Sequence, residues 1–187
     1  MGKWLKRAGV LAVVLVLLAA AAAFTGLRMA DSRMQRKVDI PVRPVAWASD
    51  AAALERGRYL FSSRGCVDCH GANGAGRTFA EDPGGLHIKA PHIRPGPGSV
   101  VAGYQADDWV RAIRHGVAPG GRPLMVMPSE DYNRFTDADL AALVAYVRSL
   151  PPAAGGPAVV QLPLPARVLY GFGAVGDAAA EVHHTLP

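Results

Sequence analysis

Only two cysteines occur in 187 residues, and they stand three apart. That scarcity excludes a disulfide framework and a four-cysteine zinc site. Positive charge is equally scarce beyond residue 45. Residues 1–45 hold eight Lys/Arg and two Asp/Glu, whereas residues 46–187 hold twelve Lys/Arg and thirteen Asp/Glu. The net +5 of the chain therefore belongs to its N-terminal segment, where it can meet anionic lipid headgroups. The remainder has no basic stripe and no interleaved aromatics, so nucleic acid is not an expected partner. No strand alternation, βαβ pattern or internal repeat is evident. Nor is there a nucleophile–base pair or carboxylate dyad, and the chain does not read as an enzyme in its own right. Proline (15) and glycine (21) are plentiful instead, which predicts short helices joined by long loops.

The two cysteines belong to Cys66-Val67-Asp68-Cys69-His70. C-x-x-C-H is the attachment signature of a c-type haem. Each thiol can form a thioether to one vinyl group of the porphyrin, and the histidine that follows lies where it can ligate the iron. One motif predicts one covalent haem c. The competing reading, a thioredoxin-like thiol pair, would need the βαβ context that is missing.

Haem attachment of this kind takes place outside the bacterial cytoplasm, so the chain must be exported. Lys3, Lys6 and Arg7 precede an uncharged run from Ala8 to Leu27. Such a run, about 20 residues, is long enough to cross a bilayer, whereas the apolar core of a signal peptide spans about 7–15. Residues 1–29 are read as a membrane anchor, with cleavage in the small-residue stretch Ala19–Ala23 as the alternative. Because Arg28, Arg33, Arg36 and Lys37 crowd the far side as well, loop charge does not fix orientation. The haem chemistry does: a single pass of the inner membrane with the haem domain in the periplasm.

Residues 30–49 read as a linker, 50–152 as the haem domain and 153–187 as a Pro/Gly-rich tail. Asp50 is a candidate N-cap for a first helix running to Phe61 or Ser63, with Leu54, Gly57 and Phe61 on one face. A second helix is expected from about Asp107 to His115-Gly116, with acids at its start, basic residues in its last turns and glycine beyond. A third follows the capping sequence Thr136-Asp137-Ala138-Asp139. In it Leu140, Leu143, Val144 and Val147 recur at helical spacing, and Leu150-Pro151-Pro152 ends it. The tail carries an apolar patch, Val168, Leu169, Tyr170 and Phe172, that is either a strap on the domain or a docking arm.

The haem motif, the Gly57/Phe61 face, the Pro-framed Met127-Pro128 and the run Leu143–Val147 together resemble class I c-type cytochromes. The stretch Asp108–Val117, followed by Gly121-Arg122-Pro123-Leu124, is similar to the cytochrome subunits of bacterial alcohol, aldehyde and gluconate dehydrogenases. The resemblance covers roughly residues 50–152. It implies an all-α class I cytochrome c fold around one covalently bound haem, preceded here by the transmembrane helix. It also implies that the first and last helices cross near a glycine, with Gly57 and Phe61 against Leu143 and Tyr146. By the same resemblance the Pro91 carbonyl would take the proton on the far nitrogen of His70.

The sixth iron position decides the function. Outside the N-terminal segment only Met125 and Met127 remain, two apart in an extended loop where both would point the same way. The resemblance favours Met127, directly before a proline; His87 and His92 are the rivals. Arg94, Tyr104 and Arg122 are candidates for the haem propionates, and His115 for a structural role at a helix end. Methionine ligation implies an electron carrier between membrane respiratory complexes or dehydrogenases. The expected partners are a dehydrogenase, a quinol-oxidising complex or a terminal oxidase. An open sixth site would instead mean a peroxidase-like haem enzyme or a ligand sensor.

Overall fold

A computed structural model describes residues 2–185. In chain order the elements are α1 (Lys3–Met34), α2 (Ala51–Ser63), α3 (Cys66–His70), β1 (Thr78–Glu81), β2 (His87–Lys89), α4 (Ala106–His115), α5 (Ser129–Tyr132), α6 (Asp137–Ser149), β3 (Val159–Gln161), α7 (Leu164–Phe172) and α8 (Ala178–Glu181). They form two compact units. One joins the residues up to Gln35 with Leu164–Val175; the other joins Arg36–Pro163 with the chain from Gly176 onward.

The larger unit is built on α2 and α6. Asp50 caps α2 through the Ala53 amide at 2.9 Å, and Thr136 caps α6 through the Asp139 amide at 3.1 Å. Each cap satisfies an amide that the first turn leaves without a helical partner. Gly57 is buried where the two helices cross. A Cβ there would run into the Ala142 carbonyl and lie 2.7 Å from Cβ of Tyr146. One turn past the glycine, Phe61 and Tyr146 pack with ring centroids 5.5 Å apart. Leu60, Trp109, Ile113, Leu140, Leu143 and Val147 complete one core. α4 ends on Gly116, whose φ of 66° an L side chain rarely adopts. There the buried Arg114 spans to the Phe135 carbonyl and to Asp137 at 2.8 Å, tying α4 to the start of α6.

The helix start and stop signals match the structure to within a residue or two. Elsewhere it differs from the sequence reading. A three-stranded antiparallel sheet, β1-β2-β3, is present, although no strand pattern was legible. Its strands have three or four residues, too short to show a period. The tail's first part is a strap. Ala153 and Gly155 donate to the Pro95 and Pro97 carbonyls, both at 3.0 Å, and β3 pairs with β2. The segment read as a linker is helical to Met34 and then packs: Val38 donates to the Gly121 carbonyl at 2.9 Å and Ile40 is buried.

The smaller unit is a helix pair. α1 is long and apolar enough to cross a membrane, and its apolar stretch is almost entirely exposed. The tail's apolar patch folds as α7 and packs on the C-terminal part of α1. Gly26, Ala30, Tyr170 and Gly171 are buried in that crossing.

Candidate functional site

Two glycines delimit the motif. Gly65 (φ 79°) precedes α3 and Gly71 (φ 73°) follows it, confining Cys66–His70 to little more than one helical turn. Within it Cys69 and His70 stand three and four residues beyond Cys66, so all three project to the same side. The chain then folds back on this turn. Gly76 donates to the His70 carbonyl at 2.9 Å, Arg77 to the Cys69 carbonyl at 3.2 Å and Ala90 to the Arg77 carbonyl at 2.9 Å. Gly76 lies so close to Pro91 that a Cβ would stand 2.7 Å from the proline carbonyl carbon. Together these bonds place the Pro91 carbonyl 3.1 Å from Nδ1 of His70.

That contact fixes the imidazole. With a carbonyl as partner Nδ1 must carry the proton, which leaves the lone pair on Nε2. Burial holds the His70 pKa below its ordinary value, opposed by the Pro91 carbonyl, so the ring is neutral and suited to a metal. The thiols show the opposite of redox activation. Burial pushes Cys66 up to about 11 and raises Cys69 as well. A thioredoxin-like pair needs a lowered thiol pKa, and the two cysteines are not joined in a disulfide.

Met127 is half-buried and packs into the core cluster alongside Cys66, Val67, Ile93 and Tyr104; Met125, also half-buried, is not among the side chains that do. The loop that bears them is held at both ends. Leu124 donates to the Gly116 carbonyl at 2.7 Å, and Ser129 to the Met127 carbonyl at 2.8 Å. The two rival histidines stand on other segments of the larger unit. His87 is on β2, opposite Gln161, with Nδ1 3.7 Å from Glu81. His92 is fully buried beneath the strap, where a Cβ on Gly155 would meet its ring carbons. His115 closes α4, with Nδ1 3.3 Å from that of His184. Arg122 is exposed, and Tyr104 packs edge-on against Trp109 at 5.3 Å.

In the sequence Trp109 reads only as part of an apolar helix face. It is buried in the same cluster as Met127, yet among the described residues its indole N–H has no acceptor and the buried Ser99 hydroxyl no partner. A buried donor left unpaired costs about 1–3 kcal/mol, so these atoms suit a bound group that brings its own acceptors. A porphyrin brings two carboxylates. Among the described residues no three His, Cys, Asp or Glu converge as a metal cluster. An imidazole with a free Nε2, two thiols beside it and buried donors without acceptors therefore fit a covalently attached haem.

A helical domain with a C-x-x-C-H turn as its focus defines a haem-attachment protein. The family comparison agrees: the cytochrome c model matches residues 54–151, just over half of the chain, and the chain belongs to the cytochrome c family, whose members bind haem c covalently. The fructose dehydrogenase cytochrome subunit of Gluconobacter japonicus is 29% identical over 83% of this chain and 33% of its own length. The gluconate 2-dehydrogenase cytochrome c subunit of Pantoea cypripedii is 38% identical over 51% of this chain and 22% of its own length. A dihaem c-type cytochrome of Cereibacter sphaeroides is 28% identical over 68% of this chain and 47% of its own length. The chain thus spans less than half the length of these curated relatives.

Proposed function

We propose that this protein is a membrane-tethered electron carrier, not an enzyme, with one haem c held by Cys66 and Cys69 and ligated by His70 and Met127. The haem supplies an iron that gains and loses a single electron. The chain's own residues would hold that iron as the electron comes and goes. The Pro91 carbonyl orients His70 and keeps its proton on Nδ1. The two cysteines would hold the haem covalently at α3. A soft thioether at Met127 favours the ferrous state and raises the potential, and the loop anchored at Leu124 and Ser129 keeps that sulfur from swinging away. The observation that carries this reading is the His70 geometry, an imidazole pinned through Nδ1 on the same turn as both cysteines.

α1 would cross the bacterial inner membrane once, with the haem domain on the periplasmic side where haem c is attached. Tethering raises the carrier's effective concentration at membrane-bound donors and acceptors. The relatives named above as dehydrogenase cytochrome subunits support a dehydrogenase as donor. A quinol-oxidising complex or terminal oxidase would stand on the other side of the exchange.

Absorption and magnetic spectra of the ferric protein test this. A low-spin haem with the weak far-red charge-transfer band of methionine ligation is expected, lost in Met127→Ala and kept in Met125→Ala. A high-spin ferric haem that takes up cyanide or peroxide readily would replace the carrier with a haem enzyme or ligand sensor.

A further inference from the structure

The helix pair presents an apolar surface on the unit that does not carry the haem-attachment turn. α7 has nine residues, Leu-Pro-Ala-Arg-Val-Leu-Tyr-Gly-Phe, and they divide by face. Tyr170 and Gly171 are buried against α1, whereas Leu164, Leu169 and Phe172 are 59%, 48% and 51% exposed. The one charged side chain, Arg167, is paired with Asp31 at 2.7 Å. In water such a face would be a patch of the kind that monomeric proteins keep small.

The contact with α1 sets the depth of that face. A Cβ on Gly171 would run into the Gly26 carbonyl and lie 3.1 Å from the Ala30 amide nitrogen, and a Cβ on Gly26 would lie 2.9 Å from Val168 and Phe172 side chains. Small residues that bring two backbones together are how helices associate within lipid. Gly26 lies at the end of the uncharged run Ala8–Leu27. At about 1.5 Å per residue such a run is about 30 Å long, the thickness of a bilayer's hydrocarbon core. α7 is therefore clamped at the level where hydrocarbon gives way to headgroups. The surface of α1 beside it continues the same character, with Phe24 and Met29 exposed and the Arg28 guanidinium 5.8 Å from the Phe24 ring centroid. Long cationic side chains at this level reach out to headgroups while their stems stay in the apolar layer.

We propose that α7 lies in the outer boundary layer of the bilayer that α1 crosses, with Leu164, Leu169 and Phe172 among the lipid acyl chains. The occupant of this face is lipid because the face continues the lipid-facing surface of α1 and its one charge is neutralised within the pair. Nine residues are too few to hold a stable helix alone in water; the glycine crossing supplies the anchorage. This inference rests on the reading of α1 as a membrane span.

The test uses the full-length haem-loaded protein in phosphatidylcholine–phosphatidylglycerol vesicles, with a nitroxide on Leu169→Cys, Phe172→Cys, Val16→Cys or Tyr59→Cys. Collisions with dissolved oxygen and with a water-soluble nickel chelate are compared. Val16→Cys reports the span and Tyr59→Cys, on the exposed face of α2, reports water. At positions 169 and 172 the oxygen-to-nickel ratio should exceed that of Tyr59→Cys severalfold and fall below that of Val16→Cys. If both match Tyr59→Cys while Val16→Cys reports hydrocarbon, α1 spans but α7 lies in water and the inference is overturned. Low collision rates with both reagents at 169 and 172 would mean a protein cover, a second copy of the chain, and also overturn it. If Val16→Cys itself reports water, the spanning reading and this inference fall together.

Discussion

Both units bring two helices into backbone contact at glycine, but they clothe the outside of that contact differently. Around the Gly57 crossing the exposed surface is charged: Arg56 reaches Asp139 at 2.9 Å, and Arg58 pairs with Glu55 along α2. Around the Gly26–Gly171 crossing the exposed side chains are Phe24, Leu169 and Phe172. The packing device is the same, so the difference lies in the side chains each pair turns outward. The interiors differ too. The larger unit carries the haem-attachment turn and buries the Trp109 indole N–H with no acceptor among the described residues, whereas the helix pair is closed by Ala30 and Tyr170 beside its two glycines.

The comparison breaks most visibly if the haem cannot attach. Cys66→Ala/Cys69→Ala should remove covalent haem from the chain and with it the cooperative unfolding of the larger unit. The helix pair, which has no part in attachment, should still hold the chain in the membrane pellet after alkaline extraction. Circular dichroism and alkaline extraction of the same preparation check both halves. Glycine substitutions come next. Gly57→Ala forces a methyl against the Ala142 carbonyl, and overpacking of this kind costs about 1–3 kcal/mol, read as a lower denaturant midpoint of the haem signal. Gly171→Ala forces the same clash against Gly26 and should leave that midpoint unchanged while loosening α7, seen as faster amide exchange over 164–172.

A smaller effect comes from pH. Burial, then His184 and Arg114, lower the His115 pKa from 6.5 to about 4, so the folded ring stays neutral where the unfolded one takes a proton. Stability from this site is complete above pH 6.5, declines as pH falls toward about 4 and then levels off. His115→Gln should flatten that slope in urea midpoints measured across the range. The smallest effect is expected at Arg56→Ala. It removes an exposed ion pair with Asp139, and such pairs contribute little, so the midpoint should stay within error.

The sequence made legible whatever is local. Asp50 and Thr136 announce their helices because a cap bonds only three residues ahead, and C-x-x-C-H announces its site because five consecutive residues carry the chemistry. The resemblance to known cytochromes added the meeting of Gly57 with the last helix. What stayed hidden depends on distant partners. Pro165, Gly171 and Gly173 argue against a helix in the tail, and α7 forms on a surface supplied by Gly26 and Ala30. The third strand exists because Val159–Gln161 finds β2, about seventy residues back. Trp109 reads as an ordinary apolar residue until its indole nitrogen is seen to be buried without a partner among the described residues.

The intact mass of the full-length protein, expressed with haem-attachment machinery and treated with a thiol alkylating reagent after denaturation, tests the central claim most directly. The account predicts the mass of the polypeptide plus one haem, with neither Cys66 nor Cys69 alkylated. A haem-free polypeptide carrying two alkyl groups would contradict it.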